Sequence, residues 1–137
     1  MIEALTRRGE DDLPRLVHHA LQCGDLETVA RFAPAAAARS ARLGANRQAL
    51  ALFRAALEHE HLLSRAQLAD VLDGYAWELY NAHRFTSAVQ QAERAVRLYA
   101  KLEDRAGEAC ARVRLSRHLF MASDPVAAQE CAQAAVP

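Results

Sequence analysis

Gly44-Ala-Asn-Arg-Gln-Ala49-Leu-Ala-Leu-Phe53-Arg-Ala-Ala56-Leu57 is a turn residue followed by a helix-forming run, and its pattern occurs three times in the chain. The second copy is His83-Arg-Phe-Thr-Ser-Ala88-Val-Gln-Gln-Ala92-Glu-Arg-Ala95-Val96. The third is Ser123-Asp-Pro-Val-Ala-Ala128-Gln-Glu-Cys-Ala132-Gln-Ala-Ala135-Val136. Each sets an alanine five positions after the turn residue and an apolar residue four later. An alanine and an aliphatic residue follow three and four positions after that. The copies lie about 39 residues apart, and a long amphipathic segment precedes each. A fixed period of this size predicts stacked helical hairpins, because one hairpin alone cannot bury its apolar face.

Composition agrees. Hydrophobic residues make up 52% of the 137 residues, with only five Gly and four Pro, so the chain is globular and can bury a core. Alanine, the best helix former, dominates, and its small side chain lets helices approach closely. Basic and acidic residues balance at 17 each, which gives no electrostatic footprint for nucleic acid. Every basic residue but Lys101 is an arginine; with the alanine excess this fits a GC-rich bacterial genome. Cys23, Cys110 and Cys131 have no metal spacing and read as free thiols of a reducing cytosol. No signal peptide or membrane-spanning run is evident. The expected location is the cytoplasm.

The helices are delimited by their punctuation. Residues 1–10 read as the remnant of a preceding helix or a linker, and residues 11–137 as one helical-repeat domain with hairpins at about 26–59, 64–102 and 104–137. The first firm helix spans about Asp12 to Cys23, with Pro14 in its first turn and Gly24 closing it. Asp25 caps the second, which runs to Leu43 and Gly44. Pro34 inside it predicts a kink or break near Phe32–Ala33. The third runs from Asn46 to about His59. Ser64-Arg-Ala-Gln67 is a capping box for the fourth, whose apolar positions are Leu68, Val71, Leu72, Tyr75, Ala76 and Leu79. The fifth presents Phe85, Ala88, Val89, Ala92, Ala95, Val96 and Tyr99 on one face. Glu93 and Arg97 form an i,i+4 pair on its exposed side. Asp104 caps the sixth helix, where Gly107 is an imperfect early residue, and Asp124 with Pro125 starts the seventh. The expected fold is all-α, with about seven antiparallel helices. The last helix stops at Pro137 after about three turns, so the chain reads as a segment of a longer protein.

These residues resemble the tetratricopeptide repeat. Ala37, Ala76 and Ser116 match its small position, Ala49, Ala88 and Ala128 its first alanine, and Ala56, Ala95 and Ala135 its second. Phe53 matches its large position; Ala92 and Ala132 depart from it. The usual closing proline is absent, and the period exceeds the usual 34 or so. The resemblance implies a right-handed superhelix with a concave groove lined by the first helix of each pair. A narrower resemblance rests on Leu16-Val-His18-His19-Ala20-Leu-Gln-Cys-Gly24-Asp25, Val29-Ala-Arg-Phe32-Ala-Pro34-Ala-Ala-Ala and Leu43-Gly-Ala-Asn-Arg-Gln-Ala49. Tyr75-Ala-Trp-Glu-Leu-Tyr80 and Leu115-Ser116-Arg117 add to it. This combination is similar to the middle region of large actinobacterial LuxR-type transcription regulators, which sits between an ATPase module and a helix-turn-helix. The family's phosphate-binding loop and basic recognition helix have no counterpart here, so neither chemistry transfers.

No catalytic or metal-binding set is expected, and no cofactor. His18 and His19 point about 100° apart on their helix. Glu58-His59-Glu60-His61 is the one stretch rich in metal-type ligands, and reads as a polar linker. Asp70 and Asp73, an i,i+3 carboxylate pair without flanking His or Lys, read as a solvated face. Cys110 and Cys131 read as small buried thiols on the last hairpin. The groove candidates are Asp70, Asp73, Trp77, Tyr80 and Asn81 on the fourth helix. Val113, Arg117, Phe120 and Met121 follow on the sixth. Trp77 and Tyr80 suit an interface, although Trp77 and Phe120 equally suit the seam between hairpins. The function implied is a non-enzymatic sensor or coupling module. It would bind a protein, a peptide or a small effector, or dock on its own ATPase module, without touching DNA or membrane itself. The alternatives are a stand-alone adaptor that binds a peptide in its groove, and a hydrolase, for which no convergent residues are found.

Overall fold

A computed structural model describes residues 13–122 and 125–135. Among these the chain is all-α: α1 (Leu13–Cys23), α2 (Leu26–Arg42), α3 (Asn46–Glu58), a 3-10 turn (Glu60–Leu62), α4 (Arg65–Asn81), α5 (Phe85–Lys101), α6 (Arg105–Met121) and α7 (Pro125–Ala135). It divides into two compact units, 1–64 and 65–137. The proposed remnant at 1–10 and the cap at Asp124 lie outside the described residues.

In the first unit α2 packs on α1 and on α3. Its buried positions are Val29, Ala30, Ala33, Ala36, Ala37 and Ser40. Against them stand Leu16, Val17 and Ala20 of α1 and Ala49, Leu52, Phe53, Ala55 and Ala56 of α3. Alanines on both sides of a helix–helix contact let the backbones draw together. Ser40, also buried, donates from Oγ to Gln48 Oε1 at 3.0 Å, so the hydroxyl is satisfied across the α2–α3 contact. The break expected near Phe32–Ala33 does not occur, and α2 runs through Pro34. Pro34 withdraws one backbone donor, but packing of Ala33, Ala36 and Ala37 holds the turn in place.

In the second unit α5 packs between α4 and α6, and α7 packs on α6. Leu72 and Leu79 are each 1% exposed, and Ala88, Ala92, Ala95, Val96 and Tyr99 line the facing side of α5. Full burial of such a leucine contributes roughly 1.5–3 kcal/mol. The paired alanines of the first two copies, Ala49, Ala56, Ala88 and Ala95, are all fully buried. Ala132 of the third copy is exposed.

Four helix ends share one geometry. Gly24, Gly44, His83 and Glu103 all have φ between 57 and 75°, the left-handed region. In each turn this residue donates to the carbonyl three back, and the next residue to the carbonyl five before itself. The pairs are Gly24→Leu21 with Asp25→Ala20, and Gly44→Ala41 with Ala45→Ser40. The second unit repeats them as His83→Tyr80 with Arg84→Leu79, and Glu103→Ala100 with Asp104→Tyr99. This is the Schellman closure, which satisfies carbonyls that a helix end leaves orphaned. Asp25 and Asp104 then cap the next helices through Thr28 N and Gly107 N. Asp25 accepts from the Thr28 side chain and backbone, which lowers its pKa. Gly107 is no flaw in α6: a Cβ there would lie 2.6 Å from Tyr99 Cδ1 and 2.8 Å from Asp104 Oδ2.

Candidate functional site

Helices α4 and α6 present a mixed aromatic and cationic face within the second unit. Asp73, Trp77 and Tyr80 fall on one side of α4 by helical spacing, and Arg114, Arg117 and His118 on the matching side of α6. Trp77 and Tyr80 stack with centroids 5.4 Å apart and planes at 19°. Arg114 and Arg117 place their guanidinium carbons 5.4 and 5.6 Å from the Trp77 centroid. Each such contact contributes about 0.5–1 kcal/mol when exposed. Arg114 also donates from Nη1 to Asp73 Oδ2 at 2.8 Å. A cleft of about 400 Å³ opens beside them, lined by Trp77, Ala109, Cys110, Val113, Arg114 and Arg117.

Behind this face lies His118, fully buried, with neither ring nitrogen hydrogen-bonded. Its ring is 5.1 Å from Tyr80 and 6.3 Å from Trp77. Burial, and then the charges of Arg114 and Arg117, push its pKa down to about 4. The ring is therefore a neutral aromatic filler at neutral pH, closing a cluster that Phe85 extends at 5.6 Å from Tyr80.

The two carboxylates of α4 do not act as a pair. Tyr99 donates to Asp70 at 2.6 Å from α5, while Asp73 turns to Arg114 on α6. Asp70 is exposed, as the solvated-face reading has it, but Asp73 is not: its side chain is only 16% exposed, and burial outweighs Arg114 in raising its pKa. Burial and the Asp70 bond raise the Tyr99 phenol well above its usual range, so it stays a donor. Asn81, the last residue of α4, is exposed. Val113, Phe120 and Met121 are exposed on α6, with Phe120 at 66%, so Phe120 fills no seam.

Other expectations are corrected or completed. Cys110 is exposed rather than buried, because it lies a helical step off the Ala111–Leu115 stripe; Cys131 is half-buried, and burial raises its pKa. Glu93 and Arg97 are both exposed; an i,i+4 ion pair is made by Arg112 and Glu108 at 2.9 Å. His59 and His61 sit edge to face at 6.4 Å around the 3-10 turn, and no three metal-type ligands converge among the described residues. His18 and His19 line a groove of about 710 Å³ between α1 and α3, a feature with no signal in the motif pattern. Among the described residues no helix is long and apolar enough to cross a membrane.

Sequence reasoning missed Arg114 and His118. Arg114 was legible as the i−3 neighbour of Arg117. His118 was legible as a member of the stripe Ala111, Leu115, His118 and Leu119. Comparison with protein-family models, curated proteins and solved structures returns no match.

Proposed function

We propose that this chain is a non-enzymatic interaction module, a tetratricopeptide-like right-handed array from the middle of a LuxR-type, ATPase-containing transcription regulator. It acts in the cytoplasm of a bacterium and contacts no DNA itself. It receives a protein, peptide or small effector and couples that event to the ATPase module. The observation that carries the reading is the α4–α6 face. There an indole, a phenol and two guanidiniums converge beside an open cleft, instead of sealing a core. Rigid aromatic rings beside arginine are the groups that dominate binding energy at protein interfaces. The lineage rests on the sequence resemblance.

The test is titration of the ATPase module of the same protein against the wild-type chain and a folded Trp77→Ala/Tyr80→Ala variant. Loss of two central aromatic anchors should weaken binding by about 2 kcal/mol or more. Equal affinities would move the site off this face.

A further inference from the structure

We propose that the α4–α6 cleft takes an acidic peptide segment, and that Asp73 is the internal carboxylate this segment displaces from Arg114. This rests on the reading of the chain as an interaction module. The peptide's carboxylates sit on Arg117 and Arg114, and its apolar side chains on Trp77, Val113 and Phe120.

Charge selects the occupant. The chain is neutral, and two arginines of α6, Arg114 and Arg117, line the cleft without an acidic residue in its lining. Glu108 engages Arg112, and Asp73 engages Arg114. Arg117 is exposed, stacked on Trp77, and paired with no carboxylate among the described residues. Its guanidinium carbon lies 5.6 Å from the Trp77 centroid, and the exposed N–H groups of a guanidinium match a carboxylate in bidentate fashion. Its neighbour Arg114 is 44% exposed and already holds a carboxylate, Asp73, at 2.8 Å. That bond uses one guanidinium nitrogen, Nη1, so a carboxylate arriving from solvent can compete with Asp73 for the group.

Length and local sign select a peptide. From Cys110 to Phe120 the exposed strip of α6 runs about 15 Å, given 1.5 Å per residue. That matches four or five extended residues at about 3.3 Å each, and is long for a single small carboxylate. Val113 and Phe120, 52% and 66% exposed, supply the apolar part of the strip. Asp70 and Asp73 flank the arginines on α4, which disfavours a uniform polyanion such as a nucleic-acid backbone.

Trp77 is the single tryptophan, so its emission reports on the cleft directly. The probe is a short synthetic peptide of glutamates and leucines around one phenylalanine, compared with its glutamine counterpart. A saturable change in emission is expected with the glutamate peptide, roughly tenfold tighter than with the glutamine peptide and weakening as salt rises. Arg117→Gln, at an exposed site, should lose about that same factor. Asp73→Asn should bind the glutamate peptide roughly threefold tighter, because the internal competitor is gone. Equal affinity for both peptides overturns the acidic preference while leaving an interaction groove in place. No saturable change with either peptide overturns the proposal, as does displacement of the glutamate peptide by a single-stranded oligonucleotide. Weaker binding by a folded Asp73→Asn chain overturns the displacement step.

Discussion

In the 1–64 unit, α2 meets its neighbours through Ala30, Ala33, Ala36 and Ala37, and the polar group it buries, Ser40, is satisfied by Gln48. In the 65–137 unit, α4 and α6 bury Leu72, Leu79, Glu78 and His118 and stack Trp77 and Tyr80 at the margin. Small side chains close the α2 contacts tightly, and the groove of the first unit opens beside them, between α1 and α3. Large and polar side chains fill the space between helices unevenly and leave a lined cleft at one edge. The same turn-and-alanine pattern thus frames two different interiors, and the indole, phenol and guanidinium groups of the candidate site lie in the second.

The largest expected effect tests where the load of each unit lies. Leu72→Ala removes a fully buried side chain and should cost about 2–5 kcal/mol, read from urea unfolding. In the first unit the corresponding weakness is enlargement, not truncation: Ala36→Leu should cost about 1–3 kcal/mol by overpacking. An unchanged unfolding midpoint for Leu72→Ala would discard the register assigned to α4.

The buried histidine gives the second unit a pH dependence at its core; among the described residues the first unit buries no titratable side chain. Unfolded, His118 takes up its proton near 6.5; folded, only near 4. Between those values the unfolded state binds more protons, so stability falls as pH drops from 6.5 towards 4 and is fully present above 6.5. The loss reaches roughly 3 kcal/mol. Carboxylates titrate in the same range, so the measurement is the difference between wild type and His118→Leu. Leucine keeps the packing and removes two unpaired nitrogens, so the variant should be at least as stable at pH 7 and flatter below 6.5. Parallel profiles would mean that the ring finds a partner on protonation.

The fold was legible because its signals are local and repeated. Spacing of three and four placed the buried faces of α4 and α5, Asp25 and Asp104 announced two caps, and Gly24 and Gly44 announced two stops. The site was legible only by half. Trp77, Tyr80, Asp73 and Arg117 could be named from their helical positions. That Asp70 and Asp73 part ways could not, because it depends on Tyr99 and Arg114 arriving from two other helices. Gly107 looked like a defect for the same reason: the ring of Tyr99 that excludes a Cβ comes from the preceding helix. Pro34 misled in the opposite direction, since a local penalty was overridden by packing along all of α2.

The smallest expected effect separates backbone from side chain, and the four equivalent turns allow it. Gly44 and Glu103 hold the same left-handed conformation, φ 75 and 57°, and make the same two backbone hydrogen bonds. Around Gly44 no atom lies within 4 Å of a built Cβ, so Gly44→Ala introduces no clash. Its cost is the conformational penalty alone, about 1 kcal/mol. Glu103 carries that penalty already, on an exposed side chain. Glu103→Gly relieves it, and the greater freedom of glycine in the unfolded chain takes back part of the gain. The net should be a stabilisation of about 0.5 kcal/mol, seen as a small rise in Tm. If Glu103→Gly instead destabilises while Gly44→Ala behaves as expected, Glu103 is held by an interaction of its side chain, and the two turns are alike in backbone only.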